Sequence, residues 1–194
     1  MGGRVPSTRR GAGSVTTYVG LLRAVNIGPH QRVGMEKLQR LAEGLGYRSV
    51  QTLLATGNLV FDGASESTED VARRLEEGVA RTFGLRTSVL VRTAAEISGV
   101  VSHNPFPEES RRDPAHLVVV FLRDEPTADR WDALRERVRG PEVVRAWGRH
   151  AFVHYAAGIG TSRLTAAVID RSLETVGTGR NWNTVLKIAT AAAR

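Results

Sequence analysis

The sequence predicts an α+β fold made of two tandem ferredoxin-like halves with antiparallel sheets, followed by a C-terminal helix. Three observations predict it: β-rich apolar runs alternate with helical spacing, the order β-α-β-β-α-β occurs twice, and a connector with two prolines separates the occurrences. The predicted parts are a disordered tail at 1–16, a first half at 17–92, a connector at 93–114, and a second half with the closing helix at 115–194.

The first half contains four apolar runs typical of strands and two segments whose leucines or valines recur every three or four residues. The predicted order is strand 17–25, helix 35–45, strands 50–55 and 59–62, helix 67–83 and strand 86–92. Thr56-Gly57-Asn58 is typical of a hairpin, and Ser67 followed by Glu69 and Asp70 is typical of a helix start.

A short helix at 95–101 is predicted to enter the connector, and the same order then begins again. The predicted elements are strand 115–122, a helix opened by Pro126, strands 142–147 and 151–155, a helix capped by Ser162, strand 175–178 and a closing helix capped by Asn181. Helices should cover one face of each sheet, which leaves open whether the halves pack helix to helix or sheet to sheet.

The composition restricts the classes of function. The chain has no cysteine, which excludes thiol nucleophiles, disulfides and cysteine-ligated zinc. The net charge of +7 includes three tail arginines (Arg4, Arg9 and Arg10), which leaves +4 for the body (7 − 3), and no dense basic run with aromatics appears. The chain also lacks a long apolar run and a secretory h-region, so we expect a cytoplasmic protein with no membrane partner.

Two strand-to-helix loops are candidate ligand sites. In the first, Arg23 ends an apolar strand, and Asn26 and Gly28 tolerate a positive φ. A buried arginine needs a partner, so a structural ion pair competes with ligand binding there. In the second loop, free N–H groups before a helix favour anions, although a tight turn with a serine cap is the simpler interpretation. Its candidate residues are Gly158, Gly160, Ser162 and Arg163.

The closing stretch G-R-N-W-N-T-V-L-K at 179–187 is a third candidate. Asn181 is a strong N-cap, and Trp182 belongs to the apolar face of the helix that follows. Capping and packing do not account for Arg180 and Asn183, which are therefore predicted ligand-binding residues.

The sequence gives little support for a metal site or for nucleophilic catalysis. His150 and His154 lie on a predicted strand, where four residues span about 13 Å, too far for one ion. The chain has no G-x-S-x-G elbow, and its catalytic residues, if any, are unknown. No metal site and no cofactor is expected.

Five stretches taken together resemble the bacterial "domain of unknown function" family 1697. They are L-L-R-A-V-N-I-G at 21–28, T-G-N-L-V-F at 56–61, N-P-F at 104–106, G-I-G-T-S-R-L at 158–164 and R-N-W-N-T-V at 180–185. The resemblance covers residues 17 to about 190. It implies two ferredoxin-like repeats and no established activity, substrate or catalytic residue. Ala24 and Pro29 stand where the family has glycine, which indicates a stiffer first loop.

The three loops favour a binding module for a small anionic ligand or nucleic acid. A hydrolase or transferase acting on a phosphorylated substrate stays open as an alternative, and so does a purely structural role in which the motifs join the two halves. The sequence does not predict the oligomeric state.

Overall fold

A computed structural model of the chain describes residues 14–26 and 32–193. The elements of the first half are β1 Val15–Leu22, α1 Met35–Gly44, β2 Arg48–Leu53, β3 Asn58–Ala64, α2 Thr68–Phe83 and β4 Val89–Thr93. Its strands form a four-stranded antiparallel sheet with the order β2-β3-β1-β4. The predicted hairpin is confirmed, since β2 and β3 pair antiparallel. The Ser67 cap is also confirmed, since the Asp70 N–H donates to the Ser67 side chain.

The elements of the second half are β5 Leu117–Leu122, α5 Ala128–Arg137, β6 Val143–Trp147, β7 His150–His154, α6 Ala166–Leu173 and β8 Gly177–Asn181. They repeat the arrangement of the first half, in a sheet with the order β6-β7-β5-β8. Helices α3 Ala94–Ser102 and α4 Glu109–Arg112 connect the halves, and α7 Trp182–Ala192 closes the described chain. The predicted α+β class, the antiparallel sheets and the C-terminal helix are confirmed.

The halves meet through the sheet faces opposite to α1, α2, α5 and α6. Alternation along β1 explains this, because Tyr18 and Leu22 pack under α1 and α2 while Val19 and Leu21 point to the other face. There they join a core shared with the second sheet, to which Val119 and Phe121 of β5 belong. Helices α3 and α7 complete this shared core with Ile97, Val100, Trp182, Val185 and Ile188.

Several local boundaries differ from the prediction by a few residues. Thr165 caps α6 by accepting the Val168 N–H, so the prediction for Ser162 was wrong. Ser162 ends a 3-10 turn at Ile159–Thr161, and its hydroxyl donates to Glu142. Strand β8 runs from Gly177 to Asn181 rather than over the predicted 175–178, so Gly179 lies inside it. Of the predicted tail, residues 1–13 lie outside the described residues, and Val15 and Thr16 belong to β1.

The two halves repeat the same backbone contacts where their central strands, β1 and β5, end. Where β1 ends, the Leu22 N–H donates to the carbonyl of Gly57 (2.8 Å), and where β5 ends, the Leu122 N–H donates to the carbonyl of Arg149 (3.0 Å). The next residues, Arg23 and Arg123, likewise donate their backbone N–H to the loops before β4 and β8. Within each half, the end of the central strand is therefore bonded to the hairpin and to the loop before the last strand.

No helix within the described ranges is long and apolar enough to cross a membrane.

Candidate functional site

The halves meet at two places that we call seams. In one of them, β8 faces the end of β1 and the β2–β3 hairpin, and Arg180 of β8 is buried there with 8% of its surface exposed. It pairs with Val119 across the sheet and points to the face where the two halves meet. Its five N–H donors all have acceptors, three of them in the first half. The acceptors are Asn58 Oδ1 (2.5 Å), Thr178 Oγ1 (2.9 Å) and the carbonyls of Gly179 (2.8 Å), Leu22 (2.9 Å) and Thr56 (3.1 Å).

No carboxylate of the described residues accepts a hydrogen bond from Arg180. Burial lowers the pKa of Arg180 to about 10 because the charged form loses its hydration. The sequence left this residue without a structural explanation, and the seam supplies one: the guanidinium fastens β8 to the end of β1 and to the β2–β3 hairpin.

In the other seam, β4 faces the end of β5 and the β6–β7 hairpin, and Arg92 of β4 is the counterpart of Arg180. It pairs with Val19 as Arg180 pairs with Val119, and only 1% of it is exposed. Its donors reach the second half in the same pattern, one strand end and one hairpin. The acceptors are His150 Nε2 (3.0 Å) and the carbonyls of Leu122 (2.5 Å), Arg149 (3.3 Å) and Val91 (2.8 Å).

Each seam also carries one ion pair between the halves. Arg23 Nη2 donates to Asp170 Oδ2 of α6 at 2.6 Å, and Arg123 donates to Glu76 of α2. Each carboxylate also accepts a backbone N–H from the strand beside its helix, that of Gly177 for Asp170 and that of Val89 for Glu76. The ion pair that the sequence allowed for Arg23 thus exists, with a partner from the other half.

Beside each seam lies a cleft between a helix and the edge strand, and the two clefts differ in character. The cleft between α2 and β4 has a volume of about 290 Å³ and is crowded with charges. Arg149 bridges it, since its guanidinium donates to Glu69 (3.1 Å) and to Glu96 (2.7 Å). The equivalent hairpin position in the first half is Gly57, whose carbonyl accepts the Leu22 N–H as that of Arg149 accepts the Leu122 N–H.

The equivalent cleft between α6 and β8 is an open cavity of about 620 Å³. Its lining is largely apolar and comes from both halves. The apolar lining residues are Leu22, Val25, Val118, Val120, Tyr155, Ile159, Leu164 and Ile169. The polar ones are Arg23, Thr56, Thr165, Asp170, Thr178, Arg180, Asn181 and Thr184. We call this space the α6–β8 cavity.

All three motif segments identified in the sequence contribute to the α6–β8 cavity. Arg23 comes from the first loop, Ile159 and Leu164 from the second, and Arg180 and Thr184 from the closing stretch. Arg23 is the accessible charge, with 36% of its side chain exposed. Within the described part of the chain, its guanidinium has one hydrogen-bond acceptor, Asp170, which leaves further N–H groups available to a ligand.

Of the predicted site residues in the first loop and the closing stretch, the described residues Asn26 and Asn183 do not line this cavity. Asn26 has a φ of 57° and holds the first loop together, donating to the carbonyls of Val33 (3.0 Å) and Ala55 (2.6 Å) and accepting the Val33 N–H (2.8 Å). Gly28 lies outside the described residues. Asn183 is exposed on α7 and does not line the cavity. None of these observations tests ligand binding by Asn183, which stays a prediction.

The second loop reaches the cavity through its apolar residues rather than through its glycines. Gly158 has a φ of 90°, and its N–H donates to the carbonyl of Tyr155 (2.8 Å), so it makes a tight turn. Gly160 and Arg163 are exposed outside the cavity lining. The Ser162 hydroxyl is bound to Glu142 and accepts the Leu164 N–H at 3.0 Å. The simpler interpretation of this loop, a tight turn, describes its geometry.

Sequence reasoning did not single out Asp170, Arg92 or Thr165. Asp170 looks like an ordinary helical carboxylate, and only 18% of its side chain is exposed in the structure. Burial raises its pKa, an effect that the charge of Arg23 partly opposes. Arg92 carried the one available signal, an arginine within the β-rich run L-V-R-T, which was the argument applied to Arg23.

In the parts of the chain that the structure describes, no group of three or more histidine, cysteine, aspartate or glutamate side chains is placed to hold a metal ion. The cavity has one carboxylate, Asp170, and both of its oxygens already accept hydrogen bonds. The arrangement can thus hold a molecule against an apolar wall and a guanidinium.

Comparison with known proteins gives one family and one fold. The family model described as "Protein of unknown function (DUF1697)" matches residues 15–152. The solved structure of a conserved bacterial protein from Streptococcus pneumoniae is similar, with a TM-score of 0.74 and 21% sequence identity over 93% of this chain and 100% of that chain. At this identity the likeness shows the fold alone. A search of curated proteins gives no match.

The family match spans more than half of the chain and includes Arg92 and the β6–β7 hairpin to which it donates. The chain therefore belongs to the DUF1697 family of proteins of unknown function.

Proposed function

We propose that the protein is a cytoplasmic binding module for a small amphipathic molecule that carries one negative charge, held in the α6–β8 cavity. The observation that carries the proposal is the convergence of all three motif segments on one largely apolar cavity of about 620 Å³. That volume lies within the range of about 300–1,000 Å³ typical of small-molecule sites.

The apolar lining favours a ligand with an apolar body. Val118 and Val120 form part of the wall on the sheet, and Leu164 and Ile169 form part of it on the side of α6. Burying a ligand's apolar surface against such side chains contributes about 25 cal/mol per Å². A polar or fully hydrated molecule would lose its water there without compensation.

The charges favour a single negative group on the ligand. Arg23 and Arg180 contribute two positive charges to the lining and Asp170 one negative charge, which leaves +1. Arg180 acts only through its field because all its N–H groups are occupied, whereas Arg23 has donors to offer. A nucleic acid would need exposed cationic surface, and burial of Arg180 removes one of the three arginines on which that alternative depended.

The binding test uses anilinonaphthalene sulfonate, an anionic dye whose fluorescence rises in apolar surroundings. We expect saturable binding of one dye per protein. Ala166, exposed at the start of α6, lines the cavity, so Ala166→Trp should block it and weaken binding by about tenfold or more, equivalent to about 1.4 kcal/mol.

Ala128→Trp is the matched control, because Ala128 is likewise exposed at the start of a helix, α5, and does not line the cavity. This variant should bind the dye within about twofold of the unmodified protein, a difference of about 0.4 kcal/mol. Equal binding by both tryptophan variants, or no binding by the unmodified protein, would overturn the proposal. Binding that falls steeply with added DNA or RNA would indicate the nucleic-acid alternative instead.

A further inference from the structure

The α6–β8 cavity is elongated, and its direction follows from the sheet register. Gly177 and Asn181, at the two ends of β8, both line it, and their partners on β5 are Leu122 and Val118. Four residues of extended strand span about 13 Å. The cavity is therefore a groove whose length exceeds the width of a single ring.

The two ends of this groove are chemically different. At the Gly177 end, Asp170 accepts the Gly177 N–H and pairs with Arg23, so the accessible charge is there. At the Asn181 end, Tyr155 and Leu164 line the groove, and the Tyr155 hydroxyl donates to the Leu164 carbonyl at 3.0 Å. Ile159, which is 47% exposed, forms an apolar lip beside them.

We propose that the ligand is an unbranched acyl chain with a terminal carboxylate, of medium length, with its carboxylate at Arg23 and its chain along β8 toward Tyr155. This inference rests on the function proposed above and specifies its ligand. A planar guanidinium with free N–H groups matches the two oxygens of a carboxylate. The groove then buries successive methylene groups against Ile169, Val120 and Val118.

The length of the groove sets the length of the chain. A C–C bond of about 1.5 Å in an extended chain advances about 1.3 Å, so about 13 Å corresponds to roughly ten carbons. Each additional buried methylene should strengthen binding about fourfold while the chain still fits. Methylenes beyond the Tyr155 end emerge into water and should add little.

A chain-length series on the unmodified protein tests this inference. Hexanoate, octanoate, decanoate, dodecanoate and hexadecanoate, each below its micelle concentration, are titrated by calorimetry. We expect affinity to rise steeply from hexanoate to decanoate and then to level off. An affinity that ignores chain length, or that keeps rising to hexadecanoate at the same rate, would overturn the inference.

Two comparisons separate the role of charge and shape. Decanol lacks the carboxylate and should bind at least about tenfold more weakly than decanoate, and Arg23→Gln should abolish that difference. Naphthoate has the same charge on a rigid ring and should bind more weakly than decanoate. If the dye binds in the cavity but naphthoate outcompetes decanoate, the proposed binding function stands and the acyl-chain inference fails. If neither the dye nor any carboxylate binds there, both fail.

Discussion

Replacing Arg180 with methionine is expected to lower the free energy of unfolding by about 3–5 kcal/mol, because five acceptors lose their donors, three of them in fully buried hydrogen bonds. Each unsatisfied acceptor costs about 1–3 kcal/mol. Burial of the charge opposes this: the lowering of the pKa of Arg180 to about 10 corresponds to about 3 kcal/mol recovered on removing it. The lost hydrogen bonds exceed that gain, so the net effect is destabilising.

Urea denaturation at neutral pH measures this change, with the exposed Arg163→Met as the matched control. The control should stay within about 0.5 kcal/mol of the unmodified protein. An Arg180→Met variant as stable as the control would mean that the guanidinium does not fasten the halves. Arg180→Lys should fall between the two, because the lysine keeps the charge but has three donors in place of five.

The second large effect is a loss of stability in acid caused by His150. Arg92 is always a donor, so His150 Nε2 accepts from it and Nδ1 carries the proton, which it donates to the Trp147 carbonyl at 3.2 Å. Burial, with the charge of Arg92 adding to it, lowers the pKa of His150 from 6.5 to about 3. Between these values the unfolded chain binds a proton that the folded protein does not.

Stability must therefore fall as the pH falls through this window, by about 1.4 kcal/mol per pH unit for this one group. Between pH 6.5 and 4 the contribution amounts to about 3 kcal/mol. His150→Gln keeps an acceptor and a donor but does not titrate, so its stability should depend less steeply on pH. Denaturation curves at several pH values give both slopes. Identical slopes would show that His150 is not held neutral in the folded protein.

The fold was largely predictable because its signals are local. The alternation along β1, the leucine spacing of α1 and the Thr56-Gly57-Asn58 turn each depend on residues close in sequence. The packing of the halves was not predictable, because both faces of a strand such as β5 are apolar: Val118 and Val119 point in opposite directions and are both buried. Such a pattern does not say which face meets which.

The candidate site was predictable in outline, since the three motif segments do line one cavity. The partners of their side chains were not, because they are distant in the chain: Arg180 reaches Leu22, and Arg23 reaches Asp170. The prediction of the residue that caps α6 was wrong for a different reason. Ser162 and Thr165 are both good caps, and tertiary contact with Glu142 draws Ser162 away from the helix.

The two seams have the same fastening, an arginine from each half on the strand end of the other, yet the clefts beside them differ in size, about 290 Å³ and about 620 Å³. Arg149 and Glu69 line the smaller cleft, and Gly57 stands at the hairpin position equivalent to Arg149 in the first half. A side chain at Gly57 is disfavoured, because it has a φ of 72° and a Cβ there would lie 2.5 Å from Val25. A larger residue at Gly57 would therefore displace Val25, which lines the α6–β8 cavity.

The most direct test of this account is an NMR titration of the labelled protein with decanoate. We expect shifts of the backbone amides to be concentrated at 165–170 on α6 and 177–181 on β8, with saturation at one ligand per protein. Ala166→Trp should abolish these shifts, and Ala128→Trp should leave them in place. Shifts concentrated in the charged cleft around Arg149, or no saturable shifts at all, would contradict the central claim that the α6–β8 cavity is the binding site.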